Sequence, residues 1–169
     1  MFGKILCMKK MKYASIIAVM LVFAGISVFS QTTDPGKSVK YDAELAKKVE
    51  ADDYGMRNYV FCILKTGPKD ASITDKKQRD DIFAGHMANM GRLAGEGKLA
   101  LAGPFGKNDR QYRGIFIFAV ATVEEAQKLV DTDPVIKTGM MIAELTPWYG
   151  SAAAMLVNDN HKKIAKKSF

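Results

Sequence analysis

Hydrophobic residues between positions 58 and 148 recur with two different spacings. Short apolar, β-favouring runs predict four strands, at residues 58–66, 98–102, 113–121 and 140–148. In residues 75–96 the apolar side chains recur every three or four positions, which predicts a long helix capped by Thr74. A second helix is predicted to begin at the capping box Thr122–Glu125 and to end before Asp133-Pro134. The predicted order is therefore strand, helix, strand, strand, helix, strand.

This order predicts an α+β fold of the ferredoxin-like βαββαβ type, a four-stranded antiparallel sheet with two helices on one face. The first strand is nevertheless apolar on both faces, because Val60, Cys62 and Leu64 alternate with Phe61 and Ile63. A soluble monomer rarely leaves so large an apolar face uncovered. We therefore expect a homodimer in which the two sheets pack face to face around a core that holds a cavity.

The two ends of the chain differ from this predicted domain, residues 58–148. Residues 1–30 are typical of a signal peptide, because Lys9, Lys10 and Lys12 precede the apolar run Ala14–Phe29 and Ser30 suits cleavage before Gln31. The alternative is a membrane anchor, but the run is shorter than the roughly 20 residues that span a bilayer. We expect a secreted, periplasmic protein without stable membrane insertion after cleavage.

Two further segments flank the predicted domain. Residues 31–57 are interpreted as a linker or extension with a weak helical pattern over residues 41–53. Residues 149–169 are interpreted as a C-terminal tail whose basic end is solvated.

Charge and composition exclude several classes of function. The net charge is +7, but four lysines and no acids lie in the first thirty residues, so the remainder carries 7 − 4 = +3. That charge is too small to indicate nucleic-acid binding. Two histidines and two cysteines form no spaced metal set, and no nucleotide-binding glycine motif occurs. We therefore expect no metal and no cofactor, and a small molecule as the partner.

A few residues of the predicted domain could carry chemistry. His86 is its only histidine and could exchange protons near neutral pH, or be a hydrogen-bonded structural residue beside the apolar stripe. Asp133 could orient an imidazole, or cap the turn that Pro134 opens. Arg113 could bind an anionic substrate or lie on a solvated face. Phe105 could form a cavity wall or simply follow the end of a strand, and Tyr59 could pack while its hydroxyl reaches a pocket.

An ordered set of motifs runs through the predicted domain: residues 85–105 (GHMANMGRLAGEGKLALAGPF), the second helix with its DTDP end, Lys137-Thr138-Gly139 and Pro147-Trp148. Through these motifs the sequence resembles the YciI-like (YCII-related) family of the dimeric α+β barrel superfamily. It implies a His–Asp pair, here His86 and Asp133, in a cavity near the dimer core. Other barrels of the superfamily act on small ring compounds or lactones.

Together these observations predict a secreted small-molecule enzyme of isomerase or lyase type, in which a His86–Asp133 dyad performs acid–base chemistry in a dimer-core cavity. Two alternatives stay open. One is a non-catalytic module that binds a small ligand, and the other is a dimer that docks a partner in the cell envelope.

Overall fold

The computed structural model describes residues 39–167. The predicted signal peptide, residues 1–30, and the first part of the predicted linker, residues 31–38, lie outside the described residues. The chain divides into two compact units, and every element below belongs to the unit that begins at Tyr41. The strands are β1 (Met56–Thr66), β2 (Leu99–Pro104), β3 (Tyr112–Phe118) and β4 (Met141–Ser151). The helices are α1 (Ala43–Lys48), α2 (Lys76–Gly95), α3 (Val123–Val130), α4 (Pro134–Lys137) and α5 (Val157–Ile164), with short 3-10 helices at Asp70–Ser72 and Ala152–Leu156.

The strands form one antiparallel sheet in the order β2-β3-β1-β4. The two central strands, β1 and β3, are therefore non-consecutive in sequence, as the ferredoxin-like βαββαβ fold requires. The register places Cys62 of β1 opposite Phe116 of β3 on one side and opposite Leu145 of β4 on the other. The predicted fold class is confirmed.

One face of the sheet, called here the helix face, carries the main hydrophobic core. Val60, Cys62 and Leu64 of β1 are fully buried there with Phe116 and Phe118 of β3. The helices contribute Ile82 and Leu93 from α2, Ala126 and Val130 from α3, and Val135 from α4. Burial of these side chains is the main stabilising contribution on this face, since each removes apolar surface from water.

Three caps set the starts of the helices that build this core. Asp75, and not the predicted Thr74, is the N-cap of α2, because its side chain accepts a hydrogen bond from the backbone N–H of Gln78. The predicted capping box of Thr122 and Glu125 is confirmed at α3. Asp133 caps α4, in which Pro134 occupies the first turn, where proline's missing N–H is harmless.

The opposite face, called here the second face, is covered in part by the chain itself. Beyond β4, residues 152–164 fold back as the 3-10 helix and α5, which we call the C-terminal segment. Its Ala154 and Met155 pack against a second hydrophobic cluster formed by Tyr59, Ala100, Ile117 and Ala119. The predicted solvated tail is thus in large part a folded cover, because its apolar first half buries surface that the sheet alone would expose.

The C-terminal segment also covers the edge strand β2. Asn158 Nδ2 donates a 2.7 Å hydrogen bond to the backbone oxygen of Leu99. An edge strand presents unpaired backbone groups that natural proteins protect in some way. In this chain a side chain of the segment satisfies one of them.

Candidate functional site

A cleft of about 820 Å³ opens on the helix face, between α2 and the hairpin that joins β2 to β3. Its apolar wall includes Leu64, Phe83, Met87, Met90 and Phe116. Its polar side comes from the hairpin and includes Lys107, Asn108, Gln111, Tyr112 and Arg113. An apolar chamber with a few polar groups on one side is the usual form of a small-molecule site.

His86 and Asp133 meet at the inner wall of this cleft. Nδ1 of His86 lies 2.8 Å from Oδ2 and 3.0 Å from Oδ1 of Asp133. Oδ1 also accepts the backbone N–H of Val135 at 3.1 Å, so the same carboxylate caps α4 and contacts the imidazole. Since an ionised carboxylate only accepts, this contact requires the proton on Nδ1, and Nε2 is the ring nitrogen that does not contact Asp133.

Aromatic contacts fix the plane of the His86 ring. The ring stacks on Phe116 with a centroid separation of 5.9 Å, and Phe83 meets it edge-on at 6.3 Å. His86 is 8% exposed and Asp133 only 1%. The imidazole therefore has one orientation set by packing and by the carboxylate, with a small part of its surface facing the cleft.

Three polar side chains that the sequence analysis did not single out support the pair. Asn89 Nδ2 approaches Asp133 Oδ2 at 3.4 Å. The Asn89 amide oxygen accepts from Arg92 Nη2 at 2.8 Å and lies 3.0 Å from Thr132 Oγ1. His86, Asn89 and Arg92 are spaced three apart on α2, so they share one helix face. In the sequence, this three-residue spacing of polar residues beside the apolar stripe of α2 was the pattern that could have indicated the supporting residues.

A glycine permits the approach of α2 to α4. A Cβ added at Gly85 would lie 2.9 Å from Cγ of Pro134, the residue after Asp133. Any larger side chain at position 85 would therefore push the first turn of α4 away from α2. The close approach is what brings a side chain of α2 to the carboxylate of a helix 47 residues further along the chain.

Sequence comparison assigns the chain to a family. The family model of the YCII-related domain matches residues 59–149, more than half of the chain. The chain belongs to the YCII-related domain family. A search among curated proteins finds no match.

Solved structures that resemble this YCII-related chain include a 5-chloro-2-hydroxyhydroquinone dehydrochlorinase from Burkholderia phenoliruptrix AC1100, in complex with 2,5-dihydroxybenzoquinone. The identity is 23% over 53% of this chain and 92% of that chain, with a TM-score of 0.38.

The predicted substrate-binding residues of the YCII-related domain fall in two places. Phe105 and Arg113 line the cleft, and Phe105 is 43% exposed. Tyr59 does not line it and needs correction: it is 1% exposed and lies on the second face, where its hydroxyl donates to the Ser151 backbone oxygen at 3.0 Å. Strand alternation explains this, because Tyr59 and the helix-face residue Val60 are neighbours and point to opposite sides.

The predicted cavity between the sheets of two subunits involves a second chain and stays a prediction. Within this chain, the cleft borders α2 and the β2–β3 hairpin. Its lining comes from both of these elements, from β1 and β3, and from His161 of the C-terminal segment.

Cys62 lies in the core beside the dyad. Burial raises the pKa of its thiol to about 12, and the nearby charge of Asp133 acts in the same direction. A thiol in this state is not a nucleophile at neutral pH. In residues 39–167 no group of three His, Cys, Asp or Glu side chains could hold a metal ion. Within the same residues, no helix has the length and hydropathy needed to cross a membrane.

Proposed function

We propose that this YCII-related chain is a small-molecule enzyme in which His86 transfers protons and Asp133 holds and stabilises its imidazole. The observation that carries the proposal is the 2.8 Å contact between Nδ1 of the cleft-lining His86 and the buried Asp133 carboxylate. A neutral imidazole with a proton on Nδ1 has a free electron pair on Nε2 and can act as a base there.

The proposed chemistry is proton transfer, as in an isomerisation or an elimination. Nε2 removes a proton from carbon or oxygen of the ligand, and Asp133 stabilises the imidazolium that results. In an isomerisation the same nitrogen returns the proton to a second atom. General acid–base catalysis of this kind contributes roughly 10²–10⁴ in rate, so positioning by the apolar cleft must supply the rest.

A direct test of the dyad needs no substrate. In ¹⁵N-labelled protein, the nitrogen chemical shifts of the neutral His86 ring should show its proton on Nδ1 and none on Nε2. Asp133→Asn should disturb that pattern while leaving the fold intact by circular dichroism. A proton on Nε2 in the wild-type chain would contradict the assigned base.

Catalysis itself is tested on a panel of hydroxylated ring compounds and small lactones incubated in D₂O. We expect exchange of a C–H hydrogen or loss of a leaving group, with a rate that falls at least 10²-fold in His86→Gln. A rate that His86→Gln leaves unchanged would reject the role of His86.

One observation favours a second candidate, a binding module without turnover. Among the cleft-lining residues in the described part of the chain there is no carboxylate, so no second carboxylic acid or carboxylate base shares the cleft with His86. If the chain is such a module, ligands from the same panel bind without exchange or product, and His86→Gln changes affinity by a small factor only.

We also propose that the chain is secreted to the periplasm with loss of residues 1–30. The support is the order of lysines, apolar run and small residues at the N-terminus. The intact mass of the protein from a periplasmic fraction should correspond to a chain that begins at Gln31. A cytoplasmic protein with the mass of the full chain would reject this proposal.

A homodimer through the second face is the remaining proposal. Phe61 and Ile63 are only half-buried there, although the C-terminal segment covers the neighbouring cluster. Sedimentation equilibrium should give twice the chain mass, and Ile63→Lys should shift it to the monomer. A monomer at all concentrations would contradict the proposed pairing.

A further inference from the structure

The C-terminal segment lies outside the matched family domain but is built into the fold. The domain match ends at residue 149, and the segment comprises residues 152–164. Ala152 is 1% exposed, and its backbone N–H donates to the Gly55 oxygen at 2.9 Å. Met155 packs on the second face, and Asn158 bonds to the edge strand β2. The segment therefore passes from the second face to the outer edge of the sheet along a path fixed by several contacts.

This path brings the helix α5 to the cleft. His161, near the middle of α5, is one of the residues that line it, together with His86 and the β2–β3 hairpin. The cleft thus has one wall from the family domain and one residue from the appended segment. An imidazole at this position can donate an N–H hydrogen bond to a ligand.

The charges around the cleft are of one sign. Lys107 and Arg113 line it, and neither forms an ion pair within residues 39–167. No Asp or Glu is found among the lining residues of the described chain. The opposite wall is apolar, with Phe83, Met87 and Met90. A site with an apolar wall and a cationic rim is complementary to a molecule with an apolar body and an anionic group.

We propose that the C-terminal segment completes the ligand site, and that His161 acts with Lys107 and Arg113 to bind the anionic group of a ligand whose apolar body occupies the cleft. His161 is then a specificity-determining residue supplied from outside the family domain. The proposal rests on the proposed function in one respect, namely that the cleft binds a small molecule. It does not require that His86 be catalytic.

Two fluorescent probes that differ in one anionic group test this directly. 8-Anilino-1-naphthalenesulfonate and N-phenyl-1-naphthylamine share the same aromatic body, but only the first carries a sulfonate. The affinity of the full chain for each is measured by titration. We expect His161→Gln to weaken the sulfonate probe about two- to fivefold, the range for one exposed contact to an anion, and to leave the neutral probe unchanged. Arg113→Gln should have the same selective effect.

A matched control separates a local contact from general attraction. Lys166→Gln removes a charge from the exposed chain just beyond α5 and should change neither affinity. Asn158→Ala removes the bond that holds α5 against β2, and it should weaken the sulfonate probe selectively as His161→Gln does.

Three results would overturn the proposal. They are equal affinities in wild type and His161→Gln, equal losses for both probes, or a loss in Lys166→Gln as large as that in His161→Gln. The outcome is independent of the acid–base role. His86→Gln should lower turnover at least 10²-fold but keep the ratio of the two probe affinities. A selective effect of His161→Gln in a chain that shows no turnover would support the anion site and reject only the proposed enzyme.

Discussion

The two faces of the sheet are built from the same kinds of apolar residue but are covered in different ways. On the helix face, Val60, Cys62 and Leu64 are at most 2% exposed under α2, α3 and α4. On the second face, Phe61 and Ile63 from the same strand are only half-buried, and the C-terminal segment covers the neighbouring cluster. Alternation along a strand therefore shows that both faces need cover, but not what provides it.

The faces also differ in their buried polar groups. The helix face holds His86, Asn89 and Asp133, whose side chains satisfy one another. The polar side chain in the second cluster, Tyr59, bonds to a single backbone oxygen. A buried polar network orients its members strongly, and the network that joins a histidine to a carboxylate lies on the helix face. The following variants break or sharpen this comparison, from the largest expected effect to the smallest.

Leu64→Ala and Ile63→Ala compare adjacent positions on opposite faces. Leu64 is 2% exposed, and its truncation should lower the free energy of unfolding by about 2–5 kcal/mol. Ile63 is half-buried, and its truncation should lower the free energy of unfolding by about 1 kcal/mol in the isolated chain. Urea unfolding at low protein concentration measures both. A larger loss for Ile63→Ala that grows with protein concentration would show that a second copy covers this face.

Asp133→Ala and Tyr59→Phe compare the buried polar groups of the two faces. Asp133→Ala removes the α4 cap and the imidazole contact and should lower the free energy of unfolding by about 2–3 kcal/mol. Tyr59→Phe removes one hydrogen bond and should cost about 1 kcal/mol. Thermal unfolding of both variants is the measurement. Equal losses would mean that the contacts of Asp133 stabilise the fold no more than the single hydrogen bond of the Tyr59 hydroxyl does.

Gly85→Ala and Gly91→Ala test the close approach of α2 to α4. An added methyl at Gly91 meets nothing within 4 Å, so the variant should gain up to about 1 kcal/mol from helix propensity. At Gly85 the methyl would overlap Pro134, which should offset that gain by about 1–3 kcal/mol. The His86 nitrogen shifts should move in Gly85→Ala alone. Identical spectra for both variants would show that α4 yields without moving Asp133.

Ionisation of the Cys62 thiol gives the smallest expected effect on the free energy of unfolding, and this effect is absent at neutral pH. Its thiol has a pKa of about 12 in the folded chain, raised by burial from an ordinary value of 9.0. The unfolded chain releases this proton near pH 9, so the thiol's contribution to stability is complete below pH 9 and is lost as pH rises towards 12. Cys62→Ala should flatten the alkaline decline. In a Cys7→Ser chain at pH 8, iodoacetamide should label Cys62 only after unfolding, and rapid labelling of the folded chain would contradict its burial.

Much of the helix face could be predicted from local sequence. The capping box at Thr122, the turn at Pro134 and the apolar spacing in α2 each reflect hydrogen bonds or contacts between residues a few positions apart. The contact between His86 and Asp133 was expected from family resemblance together with the acid–base properties of the two groups, and the structure contains it. The catalytic role of the pair stays a prediction.

The supporting residues of the site were not predictable in the same way. Asn89 is a polar residue on a mostly buried helix surface, and only the crossing of α2 and α4 gives its amide a partner in Asp133. Tyr59 was predicted to reach the pocket, and this was wrong because a tyrosine side chain is compatible with either face of a strand. The register with β3 and β4 decides which face it occupies, and register is a property of the assembled sheet.

The amino-acid sequence by itself determined the order of the strands and of the two long helices, the caps at Thr122 and Asp133, and the family. These depend on short-range periodicity, local hydrogen bonds and ordered motifs. Only the tertiary structure decided that a cleft opens between α2 and the β2–β3 hairpin and that residues 152–164 return to cover β2 and bring His161 to it. The physical reason is that these features arise from contacts between segments far apart in the chain. Their stability comes from buried area and geometry that no local pattern specifies.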